Sequence, residues 1–293
     1  MTARTLPNSR AAVRDWVELT KPRITAMVVF TTLVGFVTST VGPVDVGGLL
    51  AALAGTALVA AGAAVLNQVI ERDTDALMHR TRQRPLPAGR VAPSEAILFG
   101  ALLSAGGLAG LLWLSGPLAA AVAAFTLASY LAVYTPLKRV TPFSTLVGAV
   151  PGALPPVIGW AAARGTLDGG AFILFAILFL WQIPHFLAIA WLYRDDYARA
   201  GFPMLPVLDR EGGFTARQAV VHSLALLIAS LAAAAAGLGG AWYLGGAFVL
   251  GAGLTLFALR LVSARDLAAA RGLFLASVLY LPALCSLLLA ARL

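Results

Sequence analysis

Asn67, Glu71 and Asp75 stand four residues apart in the string NQVIERDTDALMHRTRQRPL, residues 67–86. At 3.6 residues per turn, successive members of an i, i+4, i+8 series drift by only ~40°, so all three share one helical face over about 12 Å. Asp73 falls on the opposite side. Three oxygen-bearing side chains on one face suit a hard cation. Mg2+ takes oxygen ligands, keeps several waters and is commonly shared with substrate phosphates. Arg80, Arg82 and Arg84 follow, and guanidinium groups grip phosphate oxygens through forked hydrogen bonds. A solvated loop of paired charges is the competing reading. Against it, Asn67 and Glu71 lie in or at the end of a long apolar run, where ionisable groups are expensive and usually functional.

A second acidic locus lies in WQIPHFLAIAWLYRDDYARAGFPMLP, residues 181–206. Asp195 and Asp196 are neighbours, so on a regular helix they point ~100° apart and cannot both face one cavity without local unwinding. Asp196 is the preferred metal ligand, with Asp195 orienting it or pairing with Arg194. His185 lies eleven residues before Asp196, about 16 Å deeper on the same face. A lone histidine at that depth is either a hydrogen-bonded packing residue or a contact to an acceptor substrate, a metal or a proton path. Pro184 beside it frees a backbone carbonyl and leaves both readings open. His79 and His222 are weaker candidates.

The elements that carry these residues are membrane helices. Of the 293 residues 60% are hydrophobic and 12% charged, with a mean hydropathy of +0.87. Nine apolar runs cover residues 24–42, 47–70, 95–114, 117–135, 143–161, 170–192, 217–237, 240–262 and 269–290. Each is about the length that crosses a ~30 Å hydrocarbon core as a helix. None shows the period of two that a membrane barrel needs, so the fold expected is all-α and polytopic. No hydrophilic insert is long enough to fold alone, which makes residues 1–293 one transmembrane domain.

Charge sets the orientation. With the N-terminus inside, the inside segments hold Arg4, Arg10, Arg14, Lys21, Arg23, Arg72, Arg80, Arg82, Arg84, Arg90, Lys138, Arg139, Arg194, Arg199, Arg210, Arg217, Arg260, Arg265 and Arg271. Of the 21 Lys and Arg residues only Arg164 and Arg292 fall outside, as the positive-inside rule requires. The net charge of +8 therefore reflects topology and argues against a nucleic-acid partner. The acids sort the same way, with Asp45 and Asp168 as the exceptions. Acids contribute little to topology, so that face has another use for both signs of charge. Residues 1–20 lack the apolar core of a signal peptide and read as a cytoplasmic tail with an interfacial helix around Trp16. Cys285 alone allows no disulfide within the chain.

The cytoplasmic connections 71–94 and 193–216 both open with acids and continue through arginines, a Gly and a Pro. The residues leading into the first and fifth runs also match, LTKPR at 19–23 and YTPLKR at 134–139. This suggests two four-helix halves with a ninth span added, and membrane proteins built that way place their sites between the repeats. Lys21 and Lys138 would then ring one anionic ligand together with the acidic loops. Without the repeat they are snorkelling anchors.

DALMHRTRQRPLPAGRV and WQIPHFLAIAWLYRDDY closely resemble the two signature regions of the protohaem IX farnesyltransferase (haem O synthase) family. Those enzymes are intramembrane prenyltransferases related to 4-hydroxybenzoate polyprenyltransferase. The likeness runs from ELTKPRIT at 18–25 to the ninth run. It implies nine helices around a central cavity, with Mg2+ as cofactor and farnesyl diphosphate and haem B as substrates. Farnesyl would pass to the 2-vinyl group of haem B, giving haem O for haem-copper oxidases, with hand-off to a haem A synthase. The location expected is the cell membrane, and the charge pattern over nine spans puts the acidic motifs near the cytoplasmic face and the C-terminus outside. The wider superfamily's N-x-x-x-D-x-x-x-D motif maps onto Asn67, Glu71 and Asp75. Its D-x-x-x-D motif maps poorly, with Tyr193 and Tyr197 at the outer positions and Asp195 and Asp196 between them.

The residues expected to do chemistry are thus Asn67, Glu71, Asp75 and Asp196, with Asp195 as a further metal ligand. Lys21, Arg80, Arg82, Arg84, Lys138 and Arg194 are expected on the diphosphate, and His185 on haem. A sister enzyme acting on a quinone-precursor phenol would show the regular second acidic motif. A secondary transporter would need polar groups toward the outside, where there are few. A haem chaperone would not need the first acidic motif.

Overall fold

The computed structural model describes residues 12–292. Arg4, Arg10 and the tail up to residue 11 lie outside the described residues. Among those described, nine helices are long and apolar enough to cross a membrane, and no residue is in a strand. They are α1 Pro22–Ser39, α2 Val46–Ile70, α3 Pro93–Leu114, α4 Pro117–Leu137, α5 Ser144–Arg164, α6 Gly169–Leu192, α7 Gly213–Ala235, α8 Ala241–Ala264 and α9 Leu267–Ala290. A short helix, Val13–Leu19, precedes α1, and its Trp16 packs edge-on against Phe99 of α3.

Proline opens α1, α3 and α4, where its missing N–H costs nothing. The largest boundary difference is at α7, which starts at Gly213 where the apolar run begins at 217. A helix can leave the hydrocarbon and continue through polar residues such as Thr215 and Arg217, which hydropathy cannot register. Two spans expected to be regular are not. In α4, Ser129–Tyr134 winds as a π-helical segment, with both the backbone N–H and the hydroxyl of Thr135 donating to the Tyr130 carbonyl. Pro136 cannot donate, and a wider turn is one way a helix accommodates a proline. In α5 the helix breaks at Leu154, ahead of Pro155 and Pro156.

Helix α2 lies along α3, and α1 lies along the second half of α5. A Cβ on Gly35 of α1 would sit 1.9 Å from the Pro156 carbonyl oxygen, and one on Gly159 of α5 would sit 2.0 Å from that of Thr32. Only glycine permits that approach of two backbones. The largest apolar core gathers α6 to α9 with Val34 and parts of α5, and a second gathers residues of α2 to α5. Helix α5, expected to open a second half, is shared between the two cores.

Helix α9 returns to α1 and closes the bundle. Both arginines assigned to the outside bond to the end of α1, Arg292 from beyond α9 and Arg164 from α5. Arg292 donates to the carbonyls of Thr38 and Thr40 at 2.6 and 2.7 Å, and Arg164 donates to that of Ser39 at 3.3 Å. They satisfy the orphan carbonyls at the C-terminal end of α1, where positive charge is favoured. An apolar cavity of about 350 Å³, lined among others by Phe125, Val157 and Phe172, lies between α4, α5 and α6, away from the acidic motifs.

Candidate functional site

Helix α2 ends at Ile70, yet the stripe continues past its end. The Glu71 amide donates to the Asn67 carbonyl at 2.9 Å and the Asp75 amide to the Glu71 carbonyl at 2.8 Å. The i, i+4, i+8 register therefore survives into the short helix Arg72–Asp75. Asn67, Glu71 and Asp75 are 1%, 8% and 1% exposed. Asp73 points away, pairing with Arg72 at the surface. Gln68, one residue off the stripe, donates to the Leu19 carbonyl at 2.7 Å and fastens the approach to α1 against α2.

Each oxygen donor faces a cation. The Lys21 ammonium donates to Asn67 Oδ1 at 3.1 Å, Lys138 Nζ to Glu71 Oε1 at 2.7 Å, and Arg84 Nη1 to Asp75 Oδ2 at 2.7 Å. The segments leading into α1 and α5 thus meet at one stripe, as their sequence match suggests. Lys21 stands in the left-handed backbone region at φ 48°, which costs a residue with a Cβ roughly 1–2 kcal/mol. The residue before a proline is disfavoured in the right-handed helical region, and the turn carries its ammonium to Asn67. Asn67 in turn donates to Thr135 Oγ1 at 3.1 Å, at the end of the π-helical segment. The ammonium of Lys138 lies 4.5 Å from the centre of the Tyr134 ring.

Electrostatics separates the two lysines. Burial, reinforced by repulsion from Arg84 and Lys138, pulls Lys21 down to about 7 despite the nearby Glu71 and Asp75. Burial also opposes the charge of Lys138, but Tyr134, Glu71 and Tyr130 outweigh it and hold this lysine above its ordinary value. Three basic side chains thus crowd two carboxylates and one amide oxygen, and an incoming anion would relieve the repulsion among them.

The second locus is built differently. Tyr193 ends α6 with a break at φ −116° and ψ 24°, and Asp196 lies on the following short helix Arg194–Arg199. Its carboxylate accepts from the backbone amides of His79 and Arg80 at 3.3 and 3.2 Å and from the Arg199 guanidinium. Burial pushes against ionisation, but these hydrogen bonds prevail and hold Asp196 below the usual carboxylate range. The side chain of Asp195 is 92% exposed and faces Arg194 at 3.8 Å. Arg80 lies 5.0 and 5.7 Å from the ring centres of Tyr193 and Tyr197, and donates to the Tyr197 hydroxyl at 3.3 Å. Arg82 is exposed.

The expected residues therefore separate. Asn67, Glu71, Asp75, Lys21, Lys138 and Arg84 converge, whereas Asp196 and Arg80 join the two loops. Asp195, Arg194 and Arg82 face outward, and His185 lies within α6, bonded to Ser277 of α9. The sequence reading passed over Thr135, Tyr130, Tyr134 and Gln68. The i, i+4 pair of tyrosines ahead of TPLKR was the available signal. Among the described residues, no three His, Cys, Asp or Glu side chains form a metal cluster by themselves. With the Asn67 amide oxygen counted, the stripe does offer three hard donors. Two carboxylates and an amide oxygen are the ligand chemistry of a hard divalent cation, so the donor set fits one where the basic side chains move to a shared anion.

The UbiA prenyltransferase family model matches residues 28–284. A relative from Solibacter usitatus named "Protoheme IX farnesyltransferase" is 50% identical over 241 residues, covering 79% of this chain and 82% of its own. Another of that name from Opitutus terrae is 47% identical, covering 78% and 77%. Among solved structures, a digeranylgeranylglyceryl phosphate synthase superposes with a TM-score of 0.80 at 17% identity, covering 96% of this chain and 98% of its own. A UbiA homologue from Archaeoglobus fulgidus, bound to GPP and Mg2+, superposes at 0.62 with 14% identity, covering 94% and 99%. At such identities these structures establish the fold alone. Together with the sequence relatives, the match to the family model places the chain: it belongs to the UbiA prenyltransferase family.

Proposed function

We propose that this protein transfers farnesyl from farnesyl diphosphate to the 2-vinyl group of haem B, giving haem O. The observation that carries the reading is the stripe of three buried oxygen donors with a cation opposite each, in a chain half identical to a protohaem IX farnesyltransferase. Asn67, Glu71 and Asp75 would hold Mg2+, which supplies Lewis-acid neutralisation of a leaving diphosphate. Lys21, Lys138 and Arg84 exchange their present partners for diphosphate oxygens and orient the C1–O bond for cleavage. Arg80, held against two tyrosine rings, meets the diphosphate from the loop side.

When that bond breaks, the electron pair leaves with the diphosphate and C1 becomes an allylic cation. The terminal vinyl carbon of haem B attacks C1. Water then adds to the carbon next to the porphyrin and loses a proton, giving the hydroxyethylfarnesyl group. The apolar helix walls hold the prenyl tail and keep water from the first cation. The charge asymmetry supports an N-terminus in the cytoplasm, a C-terminus outside and a site at the inner face of the cell membrane. Transfer of the product to a haem A synthase fits a product that stays in the bilayer.

The test is direct. Purified protein is incubated with farnesyl diphosphate, Mg2+ and either haem B or 4-hydroxybenzoate, and products are read by mass. Haem O with haem B supports the proposal. Prenylation of 4-hydroxybenzoate with none of haem B would replace it.

A further inference from the structure

We propose that His185 is the axial ligand of the haem iron, bonding through Nε2, with Ser277 of α9 as the residue that fixes its tautomer and ring plane. The inference rests on the haem reading above and adds the one contact that the diphosphate cluster cannot supply, the hold on the acceptor.

The hydrogen bonds around the ring settle which nitrogen is free. Ser277 Oγ lies 2.6 Å from the Phe274 carbonyl, an oxygen that can only accept, so the serine hydrogen is spent there. Toward His185 Nδ1, 2.8 Å away, Ser277 Oγ can then only accept. Nδ1 therefore carries the proton, and in a neutral imidazole Nε2 is left with its lone pair. An imidazolium among apolar side chains at this depth would be costly, which favours the neutral ring. Nε2 has no hydrogen-bond partner among the described residues. A metal-binding histidine is set up in this way, one ring nitrogen donating to a fixed oxygen and the other open to the metal. Imidazole is also a common proximal ligand of haem iron.

Aromatic rings hold the imidazole in place. The Trp181 ring stacks on His185 at 4.8 Å between centres, and Phe274 and Phe186 lie at 5.3 and 5.7 Å. Trp181 Nε1 also donates to the Ser277 carbonyl at 2.7 Å, so two side chains of α6 are bonded to one residue of α9. His185 keeps part of its surface exposed in this aromatic seam. It lies seven residues before Leu192, roughly 10 Å inside the end of α6. An iron there leaves the diphosphate end of the bundle to the other substrate. His222 offers a partial parallel, because its Nδ1 donates to the Gln218 carbonyl at 2.8 Å. That bond stays within its own helix, and no aromatic ring is stacked on it among the described residues, so His222 serves as the internal comparison.

The experiment titrates haem B into the purified full chain in detergent and reads absorption, electron paramagnetic resonance and the iron–histidine stretch of the ferrous form. The wild type is expected to show a histidine-ligated haem. H185G should lose that signature and bind haem at least tenfold more weakly, and added imidazole should restore the spectrum. Such restoration would not follow if the variant had merely misfolded. S277A should keep the ligand but shift the iron–histidine stretch and weaken binding about tenfold. H222A should match the wild type. If the wild type makes haem O while H185G retains the wild-type spectrum, or if H222A rather than H185G loses it, the ligand assignment is overturned and the haem reading stands. If the wild type neither binds nor farnesylates haem B, the reading falls and takes this assignment with it.

Discussion

Two junctions at one end of the bundle carry acids, and they use them in opposite ways. At the end of α2, Glu71 and Asp75 face the side chains of Lys138 and Arg84. At the end of α6, Asp196 is held by the backbone amides of residues 79 and 80 as well as by Arg199. A side-chain cation can swing to an arriving diphosphate and leave its carboxylate to a metal. A backbone amide is fixed in its loop and cannot swing away to an arriving ligand. The first junction is thus poised to trade partners, and the second is a clasp between the two connections. Carboxylates of one chemical kind take different work according to whether their partners are free to leave.

The first way to break the contrast is at Glu71. Glu71→Gln keeps the shape and removes the charge, leaving Lys138 buried without its anion, a costly state. Turnover is expected to fall by about 10²–10³-fold, the scale of losing an electrostatic stabiliser of the transition state. A second measurement separates ligand loss from general damage. Mg2+ with diphosphate should raise the melting temperature of the wild type and leave that of the variant unchanged. Full activity in Glu71→Gln would end the metal-ligand assignment.

Asp196→Asn tests the clasp and should cost less, about tenfold in activity. Its signature is mechanical: protease cleavage within residues 76–90 should speed up, while stabilisation by Mg2+ and diphosphate persists. The pH dependence has a definite sign. Because the folded state holds Asp196 below its ordinary value, its contribution is fully present at neutral pH and is lost as the pH falls through that lowered value. The wild-type loop should therefore become protease-sensitive in acid, whereas the variant is sensitive throughout. Loss of metal binding in Asp196→Asn would instead make the second junction a metal site.

That division was only half legible in the sequence. The register of Asn67, Glu71 and Asp75 follows from helical period alone, and hydropathy locates all nine spans because the bilayer imposes their length. The partner of each acid could not be read, since it depends on which segments meet across 46 residues for Lys21 and Asn67 or 67 for Lys138 and Glu71. The match between LTKPR and YTPLKR was the one hint. For Asp196, residue type does not reveal that two amides more than a hundred positions away bond to its carboxylate. The π-helical segment in α4 escaped because hydropathy is blind to hydrogen-bond register, although Pro136 was there to suggest it.

Between clasp and cluster lies Arg80, and Tyr197→Phe asks how tightly the clasp aims it. The change removes the bond to Arg80 and keeps the ring, so cation–π contact survives. A rise of about two- to fivefold in KM for farnesyl diphosphate is expected, with kcat nearly unchanged, because uniform binding is what such a contact contributes. Replacing both tyrosines with leucine removes the ring faces as well and should raise KM further. An unchanged KM in the double variant would detach Arg80 from substrate binding.

The smallest effect is expected at Asp195, and it is the sharpest test of how the second junction should be read. Asp195 is adjacent to Asp196 and identical to it in chemistry, yet its side chain stands in water beside a half-exposed Arg194. Exposed pairs of that kind contribute little, since solvent screens them and both side chains lose freedom in pairing. Asp195→Asn should leave activity, loop protection and Mg2+-dependent melting within twofold of the wild type. A large loss would mean that the helix Arg194–Arg199 rotates when substrate binds, bringing Asp195 inward and releasing Asp196 from its amides. The clasp would then be a resting state, and the two junctions would differ only until the diphosphate arrives.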